Sequence, residues 1–372
     1  MSNYLERVEE VASTIVRENA IDVDGKGEFP QASIKALGEA GLLGLLSAKE
    51  VGGMGESLRA GVEVVSRLAQ ECGSTAMVTC MHFCGTIVLE NHGPESVRKD
   101  IAQGNHLTTL AFSERGSRSH FWAPVSSATK KGKGYLLNAQ KSWVTSANNA
   151  DSYVWSSQPV EAEGASSIWL VRRTSKGLQT PGSFDGLGLR GNDSTPIEAT
   201  DVAVSQADLL GADGAGFDIM MELVLPYFCL MSAACSLGFM EAATLRTAAH
   251  ASGARYEYLG SALKELPTIR AYIARMRCKA DLVKSLVFDA VSAIETGRED
   301  AQLRVLESKA CAGELAREVL ELGMRVCGGV AFRGDVGVER YFRDSQAAGV
   351  MAPTTDVLYD FIGRAVTGMP LF

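Results

Sequence analysis

Two stretches of this chain lay backbone bare in ways that suit an anionic ligand. Leu110 to Ser119 reads LAFSERGSRS, a strand-like run that gives way to a Gly and Ser turn. Taken alone it passes for an ordinary polar turn, and such a turn can also offer main-chain N–H groups to a phosphate or a carbonyl oxygen. Arg325-Val326-Cys327-Gly328-Gly329 closes a helical stretch on paired glycines, which either let backbone approach a pyrophosphate or cap the helix. Trp143, flanked by small polar residues, is either a strand's core residue or a flat stacking surface. For proton transfer the candidates are His82, His120, Glu222 and Asp356. Plainer readings stand beside three of them: Asp356 as an early helix residue favoured by the dipole, Glu222 as a surface charge, and His82 as a satisfied core histidine. Cys80 and Cys84 lie four apart on a predicted helix, with His82 between them on another face. None of the eight cysteines forms a CxxC pair. Most sit in apolar stretches and read as buried reduced thiols; Cys80 and Cys84 alone invite a metal or redox reading, beside the plainer one of core residues, and no metal is expected.

Composition bounds the rest. With 372 residues, 46% apolar and 22% charged, the chain is long enough for two or three domains. A net charge of −8 argues against a nucleic-acid partner, which would call for a basic face. The first residues, rich in Glu and Arg, have no signal-peptide core. The longest apolar run, about Leu223 to Gly238, is expected to be broken by Pro226 and too short to span a bilayer. A cytoplasmic location is therefore expected.

The elements that must position these residues change character twice. Val8, Val11, Ile15 and Val16 recur at helical spacing, Pro30 opens a helix that Gly41 ends, and Leu58 to Ala69 and Ser74 to Leu89 are again periodic. From Leu107 to Phe112 onward come short runs rich in branched and aromatic residues: Gly134 to Asn138, Tyr153 to Ser156, Ser167 to Val171 and Ile197 to Val204. Their spacing predicts an antiparallel barrel or sandwich, with Lys130 to Gly134 as a solvated hairpin turn. Phe217 to Ser252, Pro267 to Thr296 and Asp300 to Arg325 then predict long helices. The order implies an α+β chain with a middle β domain, divided at 1–107, 108–211 and 212–372.

Six segments in one order resemble the acyl-CoA dehydrogenase superfamily. They are Phe29 to Gly55 (FPQASIKALGEAGLLGLLSAKEVGGMG), Leu110 to Ser119, Lys141 to Ser146 (KSWVTS), Leu187 to Gly191 with Asp208 to Gly211, Arg255 to Gly260 (RYEYLG), and Arg325 to Gly329 followed by Glu339 to Asp344. The resemblance covers the whole chain. It implies an N-terminal helical domain, a middle β domain, a C-terminal four-helix bundle and non-covalent FAD. By the same resemblance, Phe112, Ser113, Ser117 and Ser119 belong to the loop that covers the flavin, with Ser119 also toward the substrate. Trp143, Val144 and Thr145 lie beside the isoalloxazine, the Thr hydroxyl bonding N5. Arg255 to Gly260 reaches a neighbouring subunit's FAD; aligned from its Arg, Arg255 and Tyr258 are the contacts, and aligned from Gly260, Tyr256 takes the Arg place. Arg325, Cys327, Gly328 and Gly329 approach the pyrophosphate, and Thr354 and Asp356 lie on the flavin side. A homotetramer, or at least a homodimer, follows.

One part of the pattern is absent. Most relatives carry a Glu, then Gly-Thr, after the Arg-Asp pair, and that Glu removes the α-proton of an acyl thioester while hydride leaves the β-carbon. Here ungapped alignment brings Ala352 to the Glu, Pro353 to the Gly and Thr354 to the Thr. The alternative seat used by some relatives falls near Tyr227 and Phe228, which offer no carboxylate. Met351, Ala352, Tyr227 and Arg364 are then expected toward the substrate. Three readings follow: an oxidoreductase on an acyl thioester (CoA or acyl-carrier) with a relocated base, a flavin monooxygenase of the same fold, or a non-redox member. For the first, His120 ranks highest, because it adjoins the loop that lines the substrate side in relatives. The electron partner is an electron-transfer flavoprotein, O2 or a flavin reductase.

Overall fold

Val8, Val11 and Val16 form one buried face where α1 (Tyr4–Val11) runs through a π-helical turn (Ala12–Val16) into α2 (Arg17–Lys26). The structure, a computed structural model, describes residues 4–118 and 120–371. Left-handed Gly27 ends α2, as a residue without Cβ does freely. α3 (Gln31–Glu39), α4 (Leu58–Ala69), α5 (Gly73–His92) and α6 (Glu95–Ala102) complete the first helical part.

The branched and aromatic runs then form two larger sheets. β1 (Thr108–Ala111), β4 (Ser152–Ser157) and β5 (Ser167–Arg172) make one; β2 (Ser127–Lys131), β3 (Gly134–Val144), β7 (Thr195–Ser205) and β6 (Leu178–Gln179) make the other. One pairing departs from the antiparallel expectation: β1 runs parallel to β4, with Thr108 beside Ser152 and Ala111 beside Trp155. Parallel neighbours need a long crossover, and the β2–β3 hairpin lies within this one. The predicted turn joins that hairpin, Lys131 opposite Gly134 with Gly132 left-handed. Leu137, Tyr153, Trp155, Trp169, Ile197 and Val202 meet in the core, each large side chain contributing about 1.5–3 kcal/mol by leaving water.

Helices return with α7 (Gly216–Asp218), a π-helical turn (Ile219–Val224) and α8 (Leu225–Gly253). Pro226 does not break this run, contrary to the expectation. It is the second residue of α8, directly after the π turn, where helical hydrogen bonding is already re-registered and a missing N–H does least harm. Gly216–Gly253 is long and apolar enough to cross a membrane, with mean hydropathy 1.8 in its best window, but 78% of that window is buried inside the protein. That is how a core helix behaves. A hairpin of β8 (Arg255–Tyr256) and β9 (Ser261–Ala262) precedes α9 (Pro267–Glu295), α10 (Ala301–Cys327), α11 (Gly329–Phe332), α12 (Val338–Val350) and α13 (Thr355–Thr367). Both α12 and α13 pack on α10.

The chain divides into two compact units. One comprises Met1–Val64, Ser74–Asp185 and Arg190–Phe228; the other comprises Val65–Gly73, Gly186–Leu189 and Cys229–Phe372. Both larger sheets belong to the first, and α9 to α13 to the second.

Candidate functional site

Alternation along β3 sends Leu137, Ala139 and Lys141 toward the core, so Trp143 is due to follow them inward. It does not. Lys141 pairs with Ile197 and Val144 with Thr195, three steps on β3 against two on β7, which is a β-bulge. The extra residue hands the inward position to Val144, 1% exposed, and turns Trp143 out to 71% exposure. Trp143 holds φ at 57°, an outlier for a bulky side chain and worth roughly 1–3 kcal/mol of strain. Ser146 (φ 61°) and Asp193 (φ 49°) are left-handed nearby, linked where the N–H groups of Ser146 and Ala147 donate to the carbonyls of Asn192 and Asp193 at 2.9 and 3.1 Å. Between them Thr145 is buried, its hydroxyl 3.3 Å from that of Ser194. Strain of this kind collects where geometry serves a ligand.

The loop after β1 is tied to the same bulge. The N–H of Ser142 donates to the Ser113 carbonyl at 2.9 Å, and that of Arg115 to the Gln140 carbonyl at 3.1 Å. Beneath it lies a fully buried ion pair, Lys141 Nζ to Glu114 Oε1 at 2.5 Å. Lys141 also donates to the Ser156 carbonyl and hydroxyl at 2.7 and 2.9 Å. The other Glu114 oxygen accepts the N–H groups of Val125 and Ser126 at 2.6 and 2.9 Å, closing the loop at its neck. Burial pushes the Glu114 carboxyl up, but the Lys141 ammonium and the hydrogen bonds from Lys141, Ser126 and Val125 outweigh it and hold the group below its usual range. Burial pushes Lys141 down to about 8, so both partners are charged at neutral pH.

Within the loop, Phe121 stacks on Phe112 at 6.3 Å and Trp122 meets Phe121 edge-on at 5.2 Å. His120 is exposed and stacks on Trp122 at 5.0 Å. Ser117 donates its hydroxyl to the Glu114 carbonyl at 3.3 Å. Ser119 lies outside the described residues.

The surroundings of the other proton-transfer candidates match their plainer readings. His82 is buried, its Nε2 3.0 Å from the Leu43 carbonyl and its Nδ1 accepting the Thr108 N–H at 3.2 Å. Burial lowers its pKa to about 4, so it is neutral and occupied. Glu222 is exposed on the π turn, and Asp356 is exposed in the first turn of α13. Tyr227 is half-buried, its phenol pushed up by burial and then by Cys84. Cys80 and Cys84 are buried thiols, and no metal-binding cluster occurs among the described residues.

In the second unit, Gly328 ends α10 at φ 58°, ψ −139°. Beyond the adjoining backbone, no atom of the described residues lies within 4 Å of where a Cβ would stand on Gly328 or Gly329, so the backbone there is open. Arg325 is exposed over the Tyr272 ring at 5.2 Å, whereas Cys327 is buried with its thiol pushed up by burial. Arg255 and Tyr258 lie exposed on the β8–β9 hairpin. The Glu339 to Asp344 motif is structural in its contacts: Arg340 donates to the Glu71 carbonyl at 2.6 Å and Asp344 accepts the Leu189 N–H at 2.6 Å. A Cβ on Gly188 would lie 2.4 Å from the Arg343 backbone, so only glycine permits that approach. Met351 and Ala352 are half-buried, and Ala352–Pro353 is a cis peptide. Thr354 caps α13, accepting the Val357 N–H, and Arg364 pairs with Asp360 at 2.8 Å.

Family models for the acyl-CoA dehydrogenase N-terminal, middle and C-terminal domains match residues 2–104, 109–202 and 214–367. The chain belongs to the acyl-CoA dehydrogenase family. That makes it a flavin-dependent oxidoreductase of the α+β, three-domain type. A curated relative, the short-chain-specific acyl-CoA dehydrogenase of Clostridium acetobutylicum, is 24% identical over 94% of this chain and 93% of its own. In fold the chain matches butyryl-CoA dehydrogenase from Megasphaera elsdenii (TM-score 0.91, 20% identity, 98% and 97% of the two chains covered). It also matches the FAD complex of PigA (TM-score 0.90, 18% identity, 99% and 98% covered).

Sequence reasoning quoted Glu114 and Lys141 inside family segments without giving them work, and it passed over Lys309. A signal was there. Lys141 shares strand parity with Leu137, and Lys309 shares a helical stripe with Val305, Ala312 and Ala316. A lysine in phase with core residues must find partners inside.

Proposed function

We propose that this acyl-CoA dehydrogenase family member binds FAD non-covalently and oxidises an acyl thioester or related small molecule without a carboxylate at the family's usual base position. The observation that carries the reading is an apolar Ala352, where the resemblance puts the base, in the turn before α13; a strained, outward Trp143 on β3 independently supports the flavin. The residues suit the cofactor. An exposed indole on the bulge offers a flat face for stacking, a Thr hydroxyl follows two residues on at Thr145, and the open backbone at Gly328 and Gly329 suits a pyrophosphate.

FAD, when bound, supplies the hydride acceptor. The chain's own residues do the rest. Phe112, Ser113, Ser117, Ser119, Trp143, Val144 and Thr145 would hold the ring end. Arg255, Tyr258, Arg325, Cys327, Gly328, Gly329, Thr354 and Asp356 would hold the remainder, in part from a neighbouring copy. Met351, Ala352, Tyr227 and Arg364 would face substrate. With Ala352 unable to take a proton, His120 is the relocated base in this reading. The apolar turn equally suits the second reading, an oxygen-using flavin monooxygenase, which needs no α-proton base.

The deciding experiment is anaerobic mixing of the FAD-loaded protein with a panel of acyl-CoAs while flavin absorbance is followed. General-base catalysis is worth roughly a hundred- to ten-thousand-fold, so saturated butyryl- or octanoyl-CoA should bleach the flavin slowly, and Ala352→Glu should accelerate it. Fast stoichiometric bleaching of the unmodified protein would sink the missing-base reading. Full turnover by His120→Ala, with O2 uptake dependent on externally reduced flavin, would favour the monooxygenase.

A further inference from the structure

Lys309 lies on the apolar stripe of α10 and is 1% exposed. Its ammonium donates to three carbonyl oxygens: Pro353 at 2.8 Å, Met351 at 2.9 Å and Ala348 at 3.4 Å. An ammonium has three donors, and each has a carbonyl. All three acceptors belong to the last turn of α12 and the link into α13, the link that carries Met351, Ala352 and Pro353. The final carbonyls of a helix have no intrahelical partner, and a cation there is favoured by the helix dipole. Pro353 brings no N–H to the link, so carbonyls and side chains must hold it. One turn along α10, Gly313 faces the same segment: a Cβ there would stand 3.6 Å from Ala348 Cβ and 3.6 Å from Thr355 Oγ1.

We propose that Lys309 is a positioning residue, whose three-carbonyl grip sets the backbone of the Met351–Thr354 turn against the substrate. It does not act as the missing base. Its side chain is 1% exposed and its nitrogen is committed to carbonyl oxygens of the turn, so it is not free to take a substrate proton. The inference rests on reading that turn as substrate-facing.

The test uses full-length protein with FAD, carrying Lys309→Met or Lys309→Arg. In Lys309→Met, amides between residues 351 and 358 should exchange hydrogen about tenfold faster or more, as loss of charge-assisted bonds requires, while Tyr153 and Trp169 in the β core are unmoved. Lys309→Arg keeps charge and bulk, and its planar fork cannot reproduce three converging bonds. With the best thioester reductant, and assayed well below the variant's thermal midpoint, kcat should fall about tenfold at unchanged KM, a split that a merely structural lysine would not give. Wild-type exchange at 351–358 in a folded Lys309→Met protein overturns the proposal, as does wild-type kcat in Lys309→Arg. Should Lys309→Met not fold, the arginine variant decides through both readouts. Failure of the functional reading looks different: the unmodified protein itself leaves thioesters untouched, and the exchange arm still reads the grip on the turn.

Discussion

Lys141 and Glu114 put opposite charges inside an apolar core, and the arrangement is stable only because every strong donor and acceptor is met. Lys141 has Glu114 and two Ser156 oxygens; Glu114 has Lys141, Ser126 and two backbone N–H groups. Swapping such a pair for apolar residues can be neutral, but removing one partner strands the other, at about 3–5 kcal/mol. Lys141→Met is therefore expected to lower unfolding free energy by about that amount in denaturant titrations. It should also loosen residues 115–125, whose neck Glu114 closes. The pH dependence follows from the carboxyl held below its usual range. Its stabilisation is complete above the unfolded carboxylate pKa of roughly 4 and is lost as pH falls through the lower folded value. Acid unfolding of Lys141→Met should accordingly be shallower than that of the unmodified protein. A double change, Lys141→Met with Glu114→Leu, should recover much of the stability; equal loss in the single and double variants would count against stranding as the cause.

At the scale of elements, regular periodicity was legible and its interruptions were not. Pro267–Glu295 and Ala301–Cys327 fall within two residues of where apolar spacing predicted them, because long amphipathic stripes average over local exceptions. Local patterning could not tell that β1 would lie parallel to β4, which is a matter of tertiary pairing. Nor could it show that Pro226 sits beyond a π turn. Trp143 is the telling case. Strict alternation predicts a core residue, and one bulge on β3 reverses its direction, so the motif resemblance pointed outward where periodicity pointed in. If the bulge exists to present the indole, Trp143→Ala should change stability by no more than about 0.5 kcal/mol, since little of the side chain is buried. The same change should weaken FAD binding about tenfold through lost stacking, measured by titrating apoprotein with FAD. A large fall in thermal midpoint without FAD would show that Trp143 serves packing instead.

At the scale of the molecule, the second unit leaves several large apolar side chains in water. Tyr258 and Phe332 are 82% and 86% exposed, and Leu259, Leu282, Val366 and Met369 are exposed as well. Large apolar groups left in water on a chain of net charge −8 point to a covering surface. A second copy of the same chain is the occupant this reading requires, since the β8–β9 hairpin and the Gly328-Gly329 turn are proposed to serve a neighbour's FAD. Closed symmetry would then repeat each contact, giving a dimer or tetramer through the C-terminal helices. Light scattering at micromolar concentration should find a homotetramer, or at least a homodimer. Charge placed at these positions, as in Tyr258→Glu with Phe332→Glu, should shift it toward monomer at little expense in monomer stability, because both side chains are exposed within one chain. FAD should be lost in step with dissociation, since part of each cofactor site would leave with the neighbour. A monomeric unmodified protein that retains FAD would break the link between assembly and cofactor. Monomeric Tyr258→Glu/Phe332→Glu protein that still holds FAD at full occupancy would do the same, leaving the hairpin a contact surface and nothing more.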